Sequence, residues 1–183
     1  MLPALPAASA VVVAVLLLML VELQLSVFNE RALRRDGATE PPDDVYPLLR
    51  IAYPGAFVLM GLAALRHDAL RSDLLLLGVL LFGLAKALKF WAIAALGRLW
   101  TFRVLVLPDQ PLVATGPYRR LRHPNYIAVL GEIAAVALAL QTPVAGAIAL
   151  AGFGWLLRRR IAVEERALGR RLPRETGDAG RAS

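Results

Sequence analysis

Apolar residues along this chain gather into long blocks, and charge is confined largely to the connections between them. Residues 8 to 28 form the first block, close to the ~20 residues a helix needs to cross a bilayer core, with Glu22 as its one charge. A polar connection from Asn29 to Tyr46 follows, with Arg31, Arg34 and Arg35 beside the membrane and a turn-rich run from Asp36 to Pro42. Residues 47 to 65 predict a second span, which Pro54 and Gly55 should kink. After a short loop from Arg66 to Asp73, residues 74 to 96 predict a third span, carrying Lys86 and Lys89 three apart on one face. Residues 97 to 123 make the longest polar stretch. Residues 124 to 140 and 144 to 157, parted by Gln141-Thr142-Pro143, then predict a tight helical hairpin whose second arm continues to Arg160 and beyond. The pattern is that of an all-α integral membrane protein with about five transmembrane helices. It divides into spans over 1–96, a connector, hairpin and candidate site over 97–168, and a tail over 169–183 whose composition predicts disorder.

Composition agrees, with 58% hydrophobic residues and a mean hydropathy of +0.59. The chain has no cysteine and two distant histidines, which excludes thiol chemistry and disulfides and argues against a metal site. The net charge of +7 is better explained by membrane orientation than by nucleic acid, because the arginines border apolar blocks. With the N-terminus outside, 17 of the 21 lysines and arginines fall on the inner side and only Arg66 and Arg71 on the outer. The C-terminus and the connector are therefore expected to face the cytoplasm of a bacterial cell. The first apolar block lacks a positive n-region and is expected to be a retained span, not a cleaved leader.

Ionisable groups cost about 2.5 to 3.5 kcal/mol each at the centre of an inserted helix, so Glu22, Lys86 and Glu132 need a reason to be there. Counted from the cytoplasmic ends of their spans, all three lie roughly 10 to 15 Å deep. They either lock the bundle by ion pairing or line a polar cavity as substrate-binding groups. Lys89, nearer the helix end, is expected to snorkel to the surface.

The connector ends in Gly116-Pro117-Tyr118-Arg119-Arg120-Leu121-Arg122-His123-Pro124-Asn125-Tyr126. Both prolines disfavour helix at the preceding residue, so the chain should turn, run briefly, and enter a helix with Pro124 in its first turn. Beyond the hairpin, Arg158-Arg159-Arg160 and Glu164-Glu165 continue the last helix, with Arg160 and Glu164 four apart on one face. Taken alone, the tyrosines suit an interfacial belt, as do Trp91, Trp100 and Trp155, and His123 suits a helix start.

Together, Gly-Pro-Tyr, Arg-His-Pro-Asn-Tyr and Arg-x-x-x-Glu-Glu about a hydrophobic hairpin resemble the isoprenylcysteine carboxyl methyltransferase family over about residues 97 to 168. The resemblance implies an integral membrane enzyme that uses S-adenosylmethionine. It implies cofactor contacts from Gln110, Pro111, Leu112, Val113, Tyr118, His123, Pro124, Asn125, Tyr126 and Glu164, with Arg160 facing the substrate. Ala128 stands where the family often has glycine, and the longer aromatic C-terminal extension of the eukaryotic enzymes is not matched. Glu22, Asn29-Glu30-Arg31, Gly37-Ala38-Thr39-Glu40, Leu96 to Thr101, Asn125 and Glu132 are similar to a bacterial branch encoded beside type III polyketide synthases, whose members O-methylate alkylpyrones or phenolic lipids.

The residue types suit that chemistry independently. The cofactor presents an ammonium, a carboxylate and a sulfonium, for which Glu164, His123 with nearby arginines, and the faces of Tyr118 and Tyr126 are apt. No Gly-rich strand-to-helix turn is present. The expected acceptor is a lipophilic acid stabilised by Arg160, with Glu132 as a base for a less acidic phenol. The competing expectations are a prenylcysteine carboxylate, a phospholipid amine, or a non-catalytic membrane protein binding anionic lipid or a partner. Membrane lipids are the expected surroundings, and the sequence carries no signal of oligomeric state.

Overall fold

The computed structural model describes residues 1–108 and 111–169 and resolves them into five helices. These are α1 (Ala4–Arg35), α2 (Tyr46–Ala64), α3 (Ser72–Leu96), α4 (Pro124–Ala139) and α5 (Pro143–Gly169). A two-residue strand, β1 (Leu2–Pro3), pairs antiparallel with β2 (Ala69–Leu70). By length and composition, α1, α2 and α3 with the turn that follows it can cross a membrane, and α4 is a shorter apolar helix of 16 residues. The chain is an all-α integral membrane protein.

The helices follow the apolar blocks, with one extension. α1 continues through Asn29–Arg35, where a polar connection was expected, because nothing breaks it before Asp36-Gly37. There Gly37 takes φ +87°, a left-handed conformation that ends a helix readily. Pro6 lies in the first turn of α1, where its missing N–H costs nothing. α2 passes through Pro54 without ending.

One end of the bundle gathers β1, β2 and the α4–α5 turn. There the Gln141 side chain accepts from the Arg71 N–H at 3.3 Å and donates to the Arg71 carbonyl at 3.2 Å. The opposite end gathers the C-terminus of α1, the connector and the outer half of α5. Between the ends, α3 lies against α4 so closely that a Cβ on Gly78 would stand 2.5 Å from the Ala139 backbone nitrogen. α1 and α2 meet tightly only toward the β1 end, through Ala4, Ala8 and Val15 against Phe57, Met60 and Ala64.

Four charges fasten the middle of the bundle. Lys86 of α3 bridges Glu22 of α1 at 2.6 Å and Glu132 of α4 at 3.0 Å. Lys89 lies 2.6 Å from the other Glu22 oxygen and 3.4 Å from the other Glu132 oxygen. Tyr53 of α2 donates its hydroxyl hydrogen to Glu132, so all of the first four helices contribute. Lys89 does not snorkel: it is 1% exposed, because Glu22 and Glu132 offer a second oxygen apiece and the Tyr53 ring lies beneath its ammonium. Two lysines and two carboxylates cancel, which lets a site of this charge density sit inside apolar surroundings.

Replacing Lys86 with methionine leaves one carboxylate uncompensated and should cost about 3–5 kcal/mol, read as a lowered unfolding midpoint in detergent. Adding Glu132→Gln restores neutrality and should recover part of the loss; a double variant as unstable as the two losses summed would contradict the pairing. Gly78→Ala should destabilise by about 1–3 kcal/mol through overpacking, whereas Gly83→Ala, which meets nothing within 4 Å, should not.

Candidate active site

The site is built by pinning the connector onto α1 and the loop before α2. Asn29 donates to the Trp100 carbonyl at 2.8 Å, and Ser26 accepts from the Phe102 N–H at 2.8 Å. Thr39 and Val106 exchange backbone hydrogen bonds at 3.0 Å. Arg103 reaches Glu40 at 2.7 Å and lies over the Tyr46 ring. Burial works against the Glu40 charge, but hydrogen bonds from Arg103 and Arg34 prevail and hold its carboxyl below the usual range. Trp100 is therefore 2% exposed and structural, not part of an interfacial belt, whereas Trp91 and Trp155 are exposed.

The Gly-Pro-Tyr segment forms a single 3₁₀ turn, Gly116–Arg119, against α3. Gly116 combines a φ of +57° with an approach in which a Cβ would lie 2.9 Å from that of Ala95, so no other residue fits easily. His123 then precedes α4, and Pro124 is its first residue, as the proline spacing requires. The His123 ring stacks on Tyr126 with centroids 5.4 Å apart, and its Nε2 lies 3.4 Å from Glu165. Asn125 accepts from the Trp100 indole at 3.4 Å.

At the centre is a constellation of Tyr126, Arg160 and Glu164. Tyr126 donates its hydroxyl to Glu164 at 2.6 Å and accepts from Arg160 Nε at 3.3 Å. Arg160 does not pair with Glu164, despite their helical spacing. Its guanidinium instead meets Asp44 at 2.6 Å and donates to the Phe102 carbonyl. Asp44 also accepts from the Val104 and Tyr46 backbone N–H groups. The Tyr118 hydroxyl is held above its ordinary value, first by burial and then by the Glu164 charge, which places it within electrostatic reach of this group.

Two cavities meet here. A larger one of about 610 Å³ is lined by α1 from Leu16 to Leu23, by α2 from Tyr46 to Pro54, and by Val129, Phe153 and Leu157. A smaller one of about 90 Å³ is lined by Thr101, Arg103, Glu164 and neighbouring connector residues. Tyr126 and Arg160 line both, so this pair stands in the wall between an apolar chamber and a polar one.

The structure thus brings Tyr118, His123, Asn125, Tyr126, Arg160 and Glu164 to one end of the bundle. Glu22, Lys86 and Glu132 form the separate buried network, which touches the larger cavity through Tyr53 and Lys89. Pro111 and Leu112 are exposed and Val113 is half-buried; none of the three lines either cavity. Gln110 and the tail from residue 170 onward lie outside the described residues. Sequence reasoning missed Asp44, Tyr53, Tyr46 and Phe102. A carboxylate placed two residues before a helix signalled a cap for Asp44, but nothing local pointed to its arginine 116 positions away.

The model of the isoprenylcysteine carboxyl methyltransferase family matches residues 76–170, from α3 through the connector and hairpin. YpbQ of Bacillus subtilis, described as uncharacterized, is 30% identical over 148 residues, covering 80% of this chain and 88% of that protein. An uncharacterized protein of Haemophilus influenzae is 25% identical over 153 residues, covering 83% of this chain and 89% of its own. No solved structure matches significantly.

Proposed function

The chain belongs to the isoprenylcysteine carboxyl methyltransferase family, and from that premise we propose that it methylates an acidic oxygen of a lipophilic acceptor at the expense of S-adenosylmethionine. The observation that carries the reading is the shared wall of Tyr126 and Arg160 between an apolar and a polar cavity. A water-soluble donor and a membrane-soluble acceptor need two chambers with one point of contact.

When bound, the cofactor supplies an electrophilic methyl group on a sulfonium centre. The donor set on the polar side fits its amino-acid end. Glu164 is the acid for the ammonium, now held by the Tyr126 hydroxyl, and the stacked rings of His123 and Tyr126 offer faces to a cation. Tyr118, within electrostatic reach of Glu164, adds to that side, whereas Asn125 borders the larger cavity. A volume of about 90 Å³ is well below the roughly 300–1,000 Å³ of ordinary ligand pockets, so the polar cavity must widen to admit the whole cofactor.

Arg160 is a positioning residue: Asp44 neutralises it, while its remaining contacts hold the Tyr126 hydroxyl and the Phe102 carbonyl in place. An acid that ionises readily requires alignment and exclusion of water more than a base. For a weakly acidic phenol, Glu132 serves as the proton acceptor by way of Tyr53, which lines the acceptor cavity. Glu22 and Lys86 support that relay from behind. The larger cavity, at about 610 Å³, suits an alkylpyrone or phenolic lipid, entering from the bilayer between α1 and α2, where Leu20 and Leu23 are exposed. The uneven division of lysine and arginine between the two sides, as read from the sequence, supports a cytoplasmic cofactor face.

Calorimetry on the detergent-purified protein tests the cofactor side. S-adenosylmethionine should bind saturably, and Glu164→Gln and His123→Ala should each weaken it about tenfold, as loss of a charge-assisted contact would. Absence of binding by a monodisperse, helical wild type would count against the reading. Lipids extracted from cells that also express a type III polyketide synthase should contain a product one methylene heavier. Methylated phosphatidylethanolamine would point to the amine-directed alternative instead.

A further inference from the structure

Three cationic side chains line the larger cavity, and two of them are committed to protein partners. Lys89 is enclosed by Glu22, Glu132 and Tyr53. Arg160 is matched by Asp44 at 2.6 Å, with both groups buried. Arg50 is the third. It is exposed and makes no hydrogen bond or ion pair with any described residue.

Among the described residues no acidic group pairs with it, and Glu164, which also has no cationic partner, is held by the Tyr126 hydroxyl. Asp44 is taken by Arg160 and two backbone N–H groups. Glu30 and Glu40 both lie against Arg103, and Glu22 is shared by the two lysines. Arg50 sits on the α2 stripe of Tyr46, Leu49 and Tyr53 that lines the cavity, one helical turn from Tyr46 and one from Tyr53. The opposite wall is the apolar stripe of α1. A guanidinium that borders an apolar chamber without a counter-ion presents a ready fork for an oxyanion.

We infer that Arg50, and not Arg160, binds the anionic group of the acceptor, and that the larger cavity selects amphiphiles carrying one ionised oxygen acid over their neutral counterparts. The inference rests on the methyl-transfer reading for the word acceptor, but the binding site stands on its own geometry. A membrane phosphate could satisfy the same guanidinium. The apolar chamber beside it favours a ligand whose tail occupies the cavity, which a headgroup bound at the bilayer surface does not require.

The test uses the full chain in phosphatidylcholine nanodiscs, photo-labelled with a diazirine-bearing long-chain fatty acid or its methyl ester. Labelled peptides are mapped by mass spectrometry, and S-adenosylmethionine binding is measured in parallel. The acid should label α1 and α2 about tenfold more in the wild type than in Arg50→Gln, the scale of one hydrogen bond to a charged group. Arg50→Lys should retain part of the labelling, and the ester should label all three proteins alike. Equal labelling of wild type and Arg50→Gln by the acid would overturn the inference. So would loss of the acid label when phosphatidylglycerol is added to the nanodisc, since Arg50 would then be serving bilayer phosphates. Arg50-dependent labelling in a protein that binds no S-adenosylmethionine would keep this site and sink the methyl-transfer reading. Cofactor binding without Arg50 dependence would do the reverse.

Discussion

The structure depends on the cancellation of charge between Glu22, Lys86, Lys89 and Glu132. Each group alone would be costly at this depth, and each removes the cost of its neighbours only if α1, α3 and α4 hold one register. Tyr53 extends the constraint to α2 through its hydroxyl. Apolar packing between lipid-facing helices specifies register weakly, because lipid is as good a partner as leucine. Four charges that must meet specify it strongly.

That register decides where α1 and α2 separate. Near the β1 end, small residues such as Ala4, Ala8 and Ala64 let the two helices approach. Toward the connector, Leu16 to Leu23 face Tyr46 to Pro54 across open space, and the network forms part of its floor through Lys89 and Tyr53. The connector, fastened by Asn29, Ser26 and Asp44, then sets Tyr126 and Arg160 at the boundary of that space. The same helix ends therefore build both the membrane-side chamber and the polar wall above it.

Much of this was legible in the sequence. The apolar blocks gave all five helices, and the common depth of Glu22, Lys86 and Glu132 put them in one layer but left open whether they pair or line a cavity; they pair. Pro124 at a helix start and Tyr126 and Glu164 in one site followed from proline geometry and the motif resemblance. What escaped was partner choice. Arg160 and Glu164 share a helix face, yet each prefers a partner from another element: the buried guanidinium meets the buried Asp44 at 2.6 Å, and Glu164 accepts from Tyr126. Lys89 was misplaced for a related reason: its depth favoured escape to the surface, and only the three-dimensional meeting of α1 and α4 supplied the carboxylate oxygens that keep it inside.

The central claim is that this chain joins a soluble methyl donor to a membrane-soluble acceptor. Membranes from cells expressing it, incubated with S-adenosylmethionine tritiated on the methyl group, test that claim directly. The account predicts radioactivity in an organic-extractable product with the wild type, and only background with Glu164→Gln present at equal abundance. Label that never enters the organic phase, from a protein shown to bind the donor, would contradict it.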